Sequence, residues 1–138
     1  SRLGRMMMAF SLIKLKDNKV SISSAGMPPV YLYHKNSNRV EEINLMGMPL
    51  GAMSDFQYNF VERELKQDDV LLMLSDGLPE LQNENGEMFE YYRISKMLKD
   101  ESYQSSVGII DEFVKAGEEW RQNKPPDDDI TLIVIKLK

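Results

Sequence analysis

The sequence predicts an α+β domain in which antiparallel sheets are layered with helices, and three observations carry that prediction. Short runs rich in branched and aromatic residues, punctuated by turns, fill residues 6–74; apolar positions at helical spacing follow between Ser106 and Trp120; and one apolar run, Ile130 to Ile135, comes last. Strands, then helices, then a strand is the order of a layered α+β fold, whereas a doubly wound fold alternates regularly.

Met6 to Lys16 is mostly apolar, Asp17-Asn18 supplies a turn, and Val20 and Ile22 alternate within Lys19 to Ser24, so the opening reads as a hairpin. Ser24-Ala25-Gly26-Met27-Pro28-Pro29 breaks the pairing, because two prolines remove two backbone donors and Gly26 permits unusual dihedrals. Val30 to His34 is a third strand, His34 to Arg39 a polar tip, and Val40 to Leu45 a returning fourth. Gly47-Met48-Pro49-Leu50-Gly51 punctuates, Phe56 to Leu65 alternates in part, and Gln67-Asp68-Asp69 turns into Val70 to Leu74. This run and Ile130 to Ile135 are short, continuous and branched, the signature of strands buried on both faces.

Helical patterning begins at Glu90 to Leu98. Between Ser106 and Trp120, the residues Ile109, Ile110, Phe113, Val114, Gly117 and Trp120 share one helical face. Ser105 or Ser106 can cap its start, and Pro125-Pro126 stops the helix and forces an extended approach to Asp127.

A chain of 138 residues is long enough for one domain with a real core, and residues 1–138 read as a single unit. No apolar stretch approaches the roughly 18 residues of a membrane span. Seventeen basic against 22 acidic residues give a net charge of -5 without a basic stripe, which argues against nucleic acid as a partner. The absence of cysteine removes disulfides and thiolate chemistry, fits a reducing cytoplasm, and leaves oxygen as the main ligand for any metal.

The chemistry concentrates in two acidic clusters. Ser75-Asp76-Gly77 closes the Val70 to Leu74 run, and Asp127-Asp128-Asp129 opens the Ile130 to Ile135 run. If the two strands are antiparallel neighbours, both clusters meet at one sheet edge, where a divalent cation would offset their mutual repulsion. Magnesium or manganese suits such a site, since each accepts carboxylate oxygen and keeps several waters. Taken singly, aspartate before glycine is an ordinary turn and an aspartate run an ordinary solvated loop. Two carboxylates are also too few for a complete pair of ions.

Ser24-Ala25-Gly26-Met27-Pro28-Pro29, Gly47-Met48-Pro49-Leu50-Gly51, Ser75-Asp76-Gly77-Leu78-Pro79-Glu80 and Asp128-Asp129-Ile130-Thr131, in that order, resemble the metal-dependent PPM (type 2C) serine/threonine protein phosphatases. The likeness is to the bacterial branch named after SpoIIE and to the C-terminal portion of its domain. It implies part of an αββα sandwich with a two-metal centre of Mn2+ or Mg2+, where an activated water attacks phosphorus. It also implies that Asp76 and Asp128 are metal ligands, with Glu80 near an additional, weaker metal. The implied partners are a phosphoprotein substrate, such as an anti-sigma-factor antagonist in partner switching, and an upstream sensor domain. The chain departs from the family at two points. The N-terminal motif that supplies a bridging aspartate is missing before Ser1 to Arg5, so the chain reads as a fragment of a longer protein, inactive by itself. Position 27 is methionine where many relatives have histidine, so the Met27 loop is expected to shape the pocket.

Two other classes compete: a phosphatase-like module that only binds a regulator, and a receiver-like phosphoacceptor, which the β-rich first half opposes. Missing upstream strands would leave open sheet edges, and a homodimer through them is expected. His34, at a polar tip, is assigned no role; Met6, Met7, Met8, Met73 and Met97 read as core filler; Gly47 to Gly51 reads as a turn; and Trp120 reads as a core or interface anchor.

Overall fold

The computed structural model describes residues 6–138, so the expectation drawn from Ser1 to Arg5 lies outside the described residues. Two antiparallel sheets stack face to face, and two helices cover the outer face of one of them. Strands β1 (Phe10–Lys16), β2 (Lys19–Ala25) and β5 (Phe60–Glu64) form the first sheet in the order β1-β2-β5. Strands β4 (Arg39–Ile43), β3 (Val30–His34), β6 (Val70–Leu74) and β7 (Leu132–Lys136) form the second, in that order. Helices α1 (Tyr91–Glu101) and α2 (Ser106–Arg121) lie in the chain between β6 and β7.

Local chemistry explains the elements. Asp17 and Asn18 both take positive φ, 48° and 60°, the two-residue reversal whose twist matches an antiparallel hairpin. Ser105, not Ser106, caps α2, its hydroxyl accepting from the Gly108 N–H at 3.1 Å. Period-two alternation then divides the central strands between two cores. From β3 and β6, Tyr31, Tyr33, Val70, Leu72 and Leu74 face the helices and pack with Ile94, Leu98, Ile109 and Phe113. Val30, Leu32 and Leu71 face the other sheet and meet Val20, Ile22, Ile43 and Leu65. At one side Arg63 of β5 donates to Glu41 of β4 at 2.7 Å, tying the two sheets together. That guanidinium, helped by His34 at 3.0 Å, holds the Glu41 carboxyl below its ordinary range.

Four expectations change. The first strand starts at Phe10 rather than Met6, with Met8 forming an isolated bridge to Leu50. Met6, Met7 and Met8 are exposed and are not core filler, whereas Met73 and Met97 do pack against the two cores. The last strand runs Leu132–Lys136 and is half-buried, not buried on both faces. The cause is its position: β7 is an edge strand, and beside it Ala9, Phe10, Met27 and Ile133 line an apolar cavity of about 220 Å³ that the first sheet does not fill. His34 is also not a solvated tip residue, being half-buried at the end of β3 and bonded to Glu41.

Trp120 is a core anchor. Its indole N–H donates to the carbonyls of Leu81 and Glu87 at 3.0 and 3.2 Å, and its ring meets Phe89 edge-on at 5.8 Å. The deepest aromatic of α2, Phe113, is wholly buried between helix and sheet. Phe113→Ala is therefore expected to cost about 3–5 kcal/mol. Urea unfolding checks this through a lowered midpoint at unchanged slope.

Candidate metal centre

The acidic residues are delivered by strand ends. β6 and β7 pair from Val70↔Lys136 to Leu74↔Leu132, and the backbone beyond that register stays linked. The Ser75 N–H donates to the Thr131 carbonyl at 3.0 Å. The Ser75 hydroxyl donates to the Asp129 carbonyl and accepts from the Thr131 N–H, each at 3.0 Å. One serine thereby stitches the loop after β6 to the loop before β7. Gly77 completes the approach, since a side chain there would place Cβ 2.4 Å from the Asp129 carbonyl oxygen.

The result is a concavity of about 330 Å³ whose wall includes Asp76, Glu80, Asp127 and Asp128. The two predicted ligands, Asp76 and Asp128, thus share one wall with Glu80, which the resemblance had placed near a further metal. All three are exposed, so their carboxylates can meet water or a cation. The three aspartates of the second cluster are not equivalent. Asp127 is held by Lys124 at 3.2 Å, and Lys124 is in turn anchored on the Gln82 side-chain oxygen at 2.8 Å. Asp128 uses only Oδ1, which accepts from the Asp129 N–H at 2.7 Å, and its Oδ2 remains available.

This donor set is all oxygen and solvent-facing, which fits a hard divalent cation that keeps part of its water shell. It is not a complete two-ion set, because no group of three or more carboxylate or imidazole side chains is assembled for a metal among the described residues.

Sequence reasoning missed three residues here. Lys124 and Gln82 brace the wall. Tyr91, the first residue of α1, lies within electrostatic reach: burial first, and then the carboxylates of Glu80 and Asp76, push its hydroxyl above the ordinary tyrosine range. Its position comes from a backbone return, in which the Glu90 N–H donates to the Pro79 carbonyl at 2.7 Å and the Phe89 N–H to the Leu81 carbonyl at 2.9 Å. No spacing pattern marks such a return; the one hint is Asn83, whose side-chain oxygen accepts from the N–H groups of Asn85 and Glu87 and folds the segment back. Met27 does not line the acidic concavity; it lines the apolar cavity on the other side of Ser75 and Thr131. The two glycine loops that flank it pack on each other, Gly26 against the Pro49 ring and Gly47 against the Ser24 carbonyl.

Two stacked antiparallel sheets with helices outside match the fold of PP2C-type phosphatase domains in solved structures. The SiaA-PP2C domain of Pseudomonas aeruginosa matches with a TM-score of 0.76 at 23% identity, over 88% of this chain and 47% of that one. The phosphatase domain of the cell fate determinant SpoIIE from Bacillus subtilis, from manganese-presoaked crystals, matches with a TM-score of 0.69 at 20% identity, over 95% and 56%. Residues 5–138 match the family described as stage II sporulation protein E (SpoIIE), and the chain belongs to that family. Among curated relatives, phosphoserine phosphatase RsbU of Bacillus subtilis (strain 168) is 26% identical over 135 residues, 95% of this chain and 38% of that protein. The chain therefore spans well under half the length of that relative.

The close approach at Gly77 gives a direct test of the loop geometry. Gly77→Ala must displace the Asp129 backbone, and the expected loss from that overpacking is about 1–3 kcal/mol. Chemical denaturation measures it; an unchanged stability would mean the two loops are not in contact.

Proposed function

We propose that this chain is the C-terminal part of a metal-dependent protein serine/threonine phosphatase domain, with Asp76 and Asp128 as ligands of a divalent cation, Mn2+ or Mg2+. The observation that carries the reading is the β6–β7 register, which delivers both aspartates to one concavity. Membership of the SpoIIE family and the likeness to phosphoserine phosphatase RsbU support phosphate-ester hydrolysis as the reaction. The substrate class is a phosphoserine or phosphothreonine protein, of the anti-sigma-factor-antagonist kind, met in the cytoplasm and under control of a sensor domain elsewhere in the parent protein.

Bound cations would supply Lewis acidity, acidifying a water and offsetting charge on the phosphoryl oxygens. The chain's own residues do the positioning. Ser75 and Gly77 hold the two loops at contact distance, and the Asp129 N–H holds one oxygen of Asp128 while the other stays open to a ligand. Lys124 pairs with Asp127, and Asp128, which has no cation partner among the described residues, is the ligand of its cluster. Glu80, on the same wall, is placed to serve a further, weaker cation through water.

The described residues supply an incomplete ligand set, so catalysis needs at least one more acid from outside them. With manganese and a phosphoserine peptide, the 138-residue chain is expected to turn over at background and an upstream-extended protein to be active. In that extended protein, Asp76→Ala or Asp128→Ala should lower kcat at least as far as the roughly 100-fold that loss of an outer-shell partner can cost. Full activity of the chain alone, or near-normal kcat in either variant, would overturn the ligand assignment.

A further inference from the structure

An open groove of about 500 Å³ runs between β4 and α1, away from the β6–β7 edge. Arg39 comes from the strand side, and Tyr92, Lys96 and Lys99 from the helix. The last three fall at i, i+4 and i+7, on one helical face. All four are exposed, and none of the three cations makes an ion pair among the described residues. Three unpaired cations on one groove stand out in a chain of net charge -5. Tyr92 gives the groove an aromatic wall, and the Arg93 guanidinium lies 5.1 Å from its ring centroid.

The strand side adds backbone chemistry. Within the described residues β4 pairs with β3 alone, so its other edge presents unpaired N–H and C=O groups to whatever enters the groove. An extended segment can add to such an edge, and the groove's charge decides which segments do so. Glu42 is the one carboxylate in the lining, which disfavours a uniformly anionic strand and favours one acidic at alternate positions.

We propose that the β4–α1 groove docks an extended acidic segment of a partner protein, which pairs with the free edge of β4 while its helix-facing carboxylates meet Lys96 and Lys99. Docking stands without any catalytic assignment. Its use in presenting a substrate rests on the phosphatase reading. Helix α1 begins beside the acidic concavity, where the Glu90 N–H bonds the Pro79 carbonyl, and Lys99 lies about 12 Å along the axis from Tyr91. Helix α1 thus runs from the acidic concavity along the groove, so a segment held there continues toward the concavity along the helix.

Fluorescence anisotropy with this chain and a labelled dodecapeptide alternating glutamate and threonine tests the inference. The acidic peptide should bind at least about tenfold more tightly than its lysine-for-glutamate counterpart, and added salt should weaken it. The double variant Lys96→Glu/Lys99→Glu should weaken it about tenfold, as loss of two rim pairs implies, with helicity retained and the unfolding midpoint lowered only slightly by the lost cation in the last turn of α1. Equal affinity for both peptides, or undiminished binding by the folded double variant, would overturn the proposal. Asp76→Ala should leave peptide binding unchanged, and loss of binding there would also count against a separate groove. Turnover of a small phosphomonoester by the extended protein reports the acidic centre alone, so each reading fails on its own measurement.

Discussion

Val70 to Leu74 and Leu132 to Lys136 are joined by an antiparallel ladder across a long stretch of chain that holds both helices. That ladder fixes where the two acidic clusters meet. Because side chains alternate across a strand, a slip of one residue would turn Leu72 and Leu74 away from the helices and move Asp76 out of line with Asp128. The same register thus orders the helix-facing core and the acidic concavity. The small residues at its end carry the contact further: Ser75 adds two side-chain bonds to its backbone bond with Thr131, and Gly77 leaves room for the Asp129 carbonyl.

Within the concavity, local backbone chemistry sorts acids that look alike in sequence. Three consecutive aspartates differ in what they already hold: Asp127 has Lys124, Asp128 has one oxygen on a backbone N–H, and Asp129 contributes its carbonyl to Ser75. A carboxylate with one oxygen fixed and the other open is suited to a cation, since part of the ordering cost is already met by the fold. The lysine lies just before two prolines, whose restricted dihedrals limit the segment that joins Lys124 to Asp127.

Much of this was legible in the chain itself. Val70 to Leu74 was readable because it is covered on both faces and so carries a continuous apolar run. The second helix was readable because Ile109, Phe113 and Gly117 are buried at helical spacing and Ser105 caps it. The meeting of Asp76 and Asp128 followed from those two strands being antiparallel neighbours. What escaped depended on partners that a strand does not encode. Met6 to Met8 and Ile133 are as apolar as core residues, yet they lie at a sheet edge or beyond it and stay exposed. Tyr91, Gln82 and Lys124 reach the acidic wall through loop returns and a helix end, which leave no periodicity. The groove of Arg39, Lys96 and Lys99 joins a strand to a helix far along the chain, so its charges looked scattered.

Manganese titration of the isotope-labelled chain, followed residue by residue through its amide signals, shows whether the two acidic clusters share one cation. Even weak binding at millimolar manganese broadens nearby amides by paramagnetic relaxation. If the β6–β7 register builds one cation site, the amides around Asp76 to Glu80 and those around Asp127 to Asp129 should broaden together, at the same manganese concentration, and Asp128→Ala should remove both effects. Broadening confined to one cluster, or an Asp128→Ala variant that still broadens the Asp76 loop unchanged, would contradict the account.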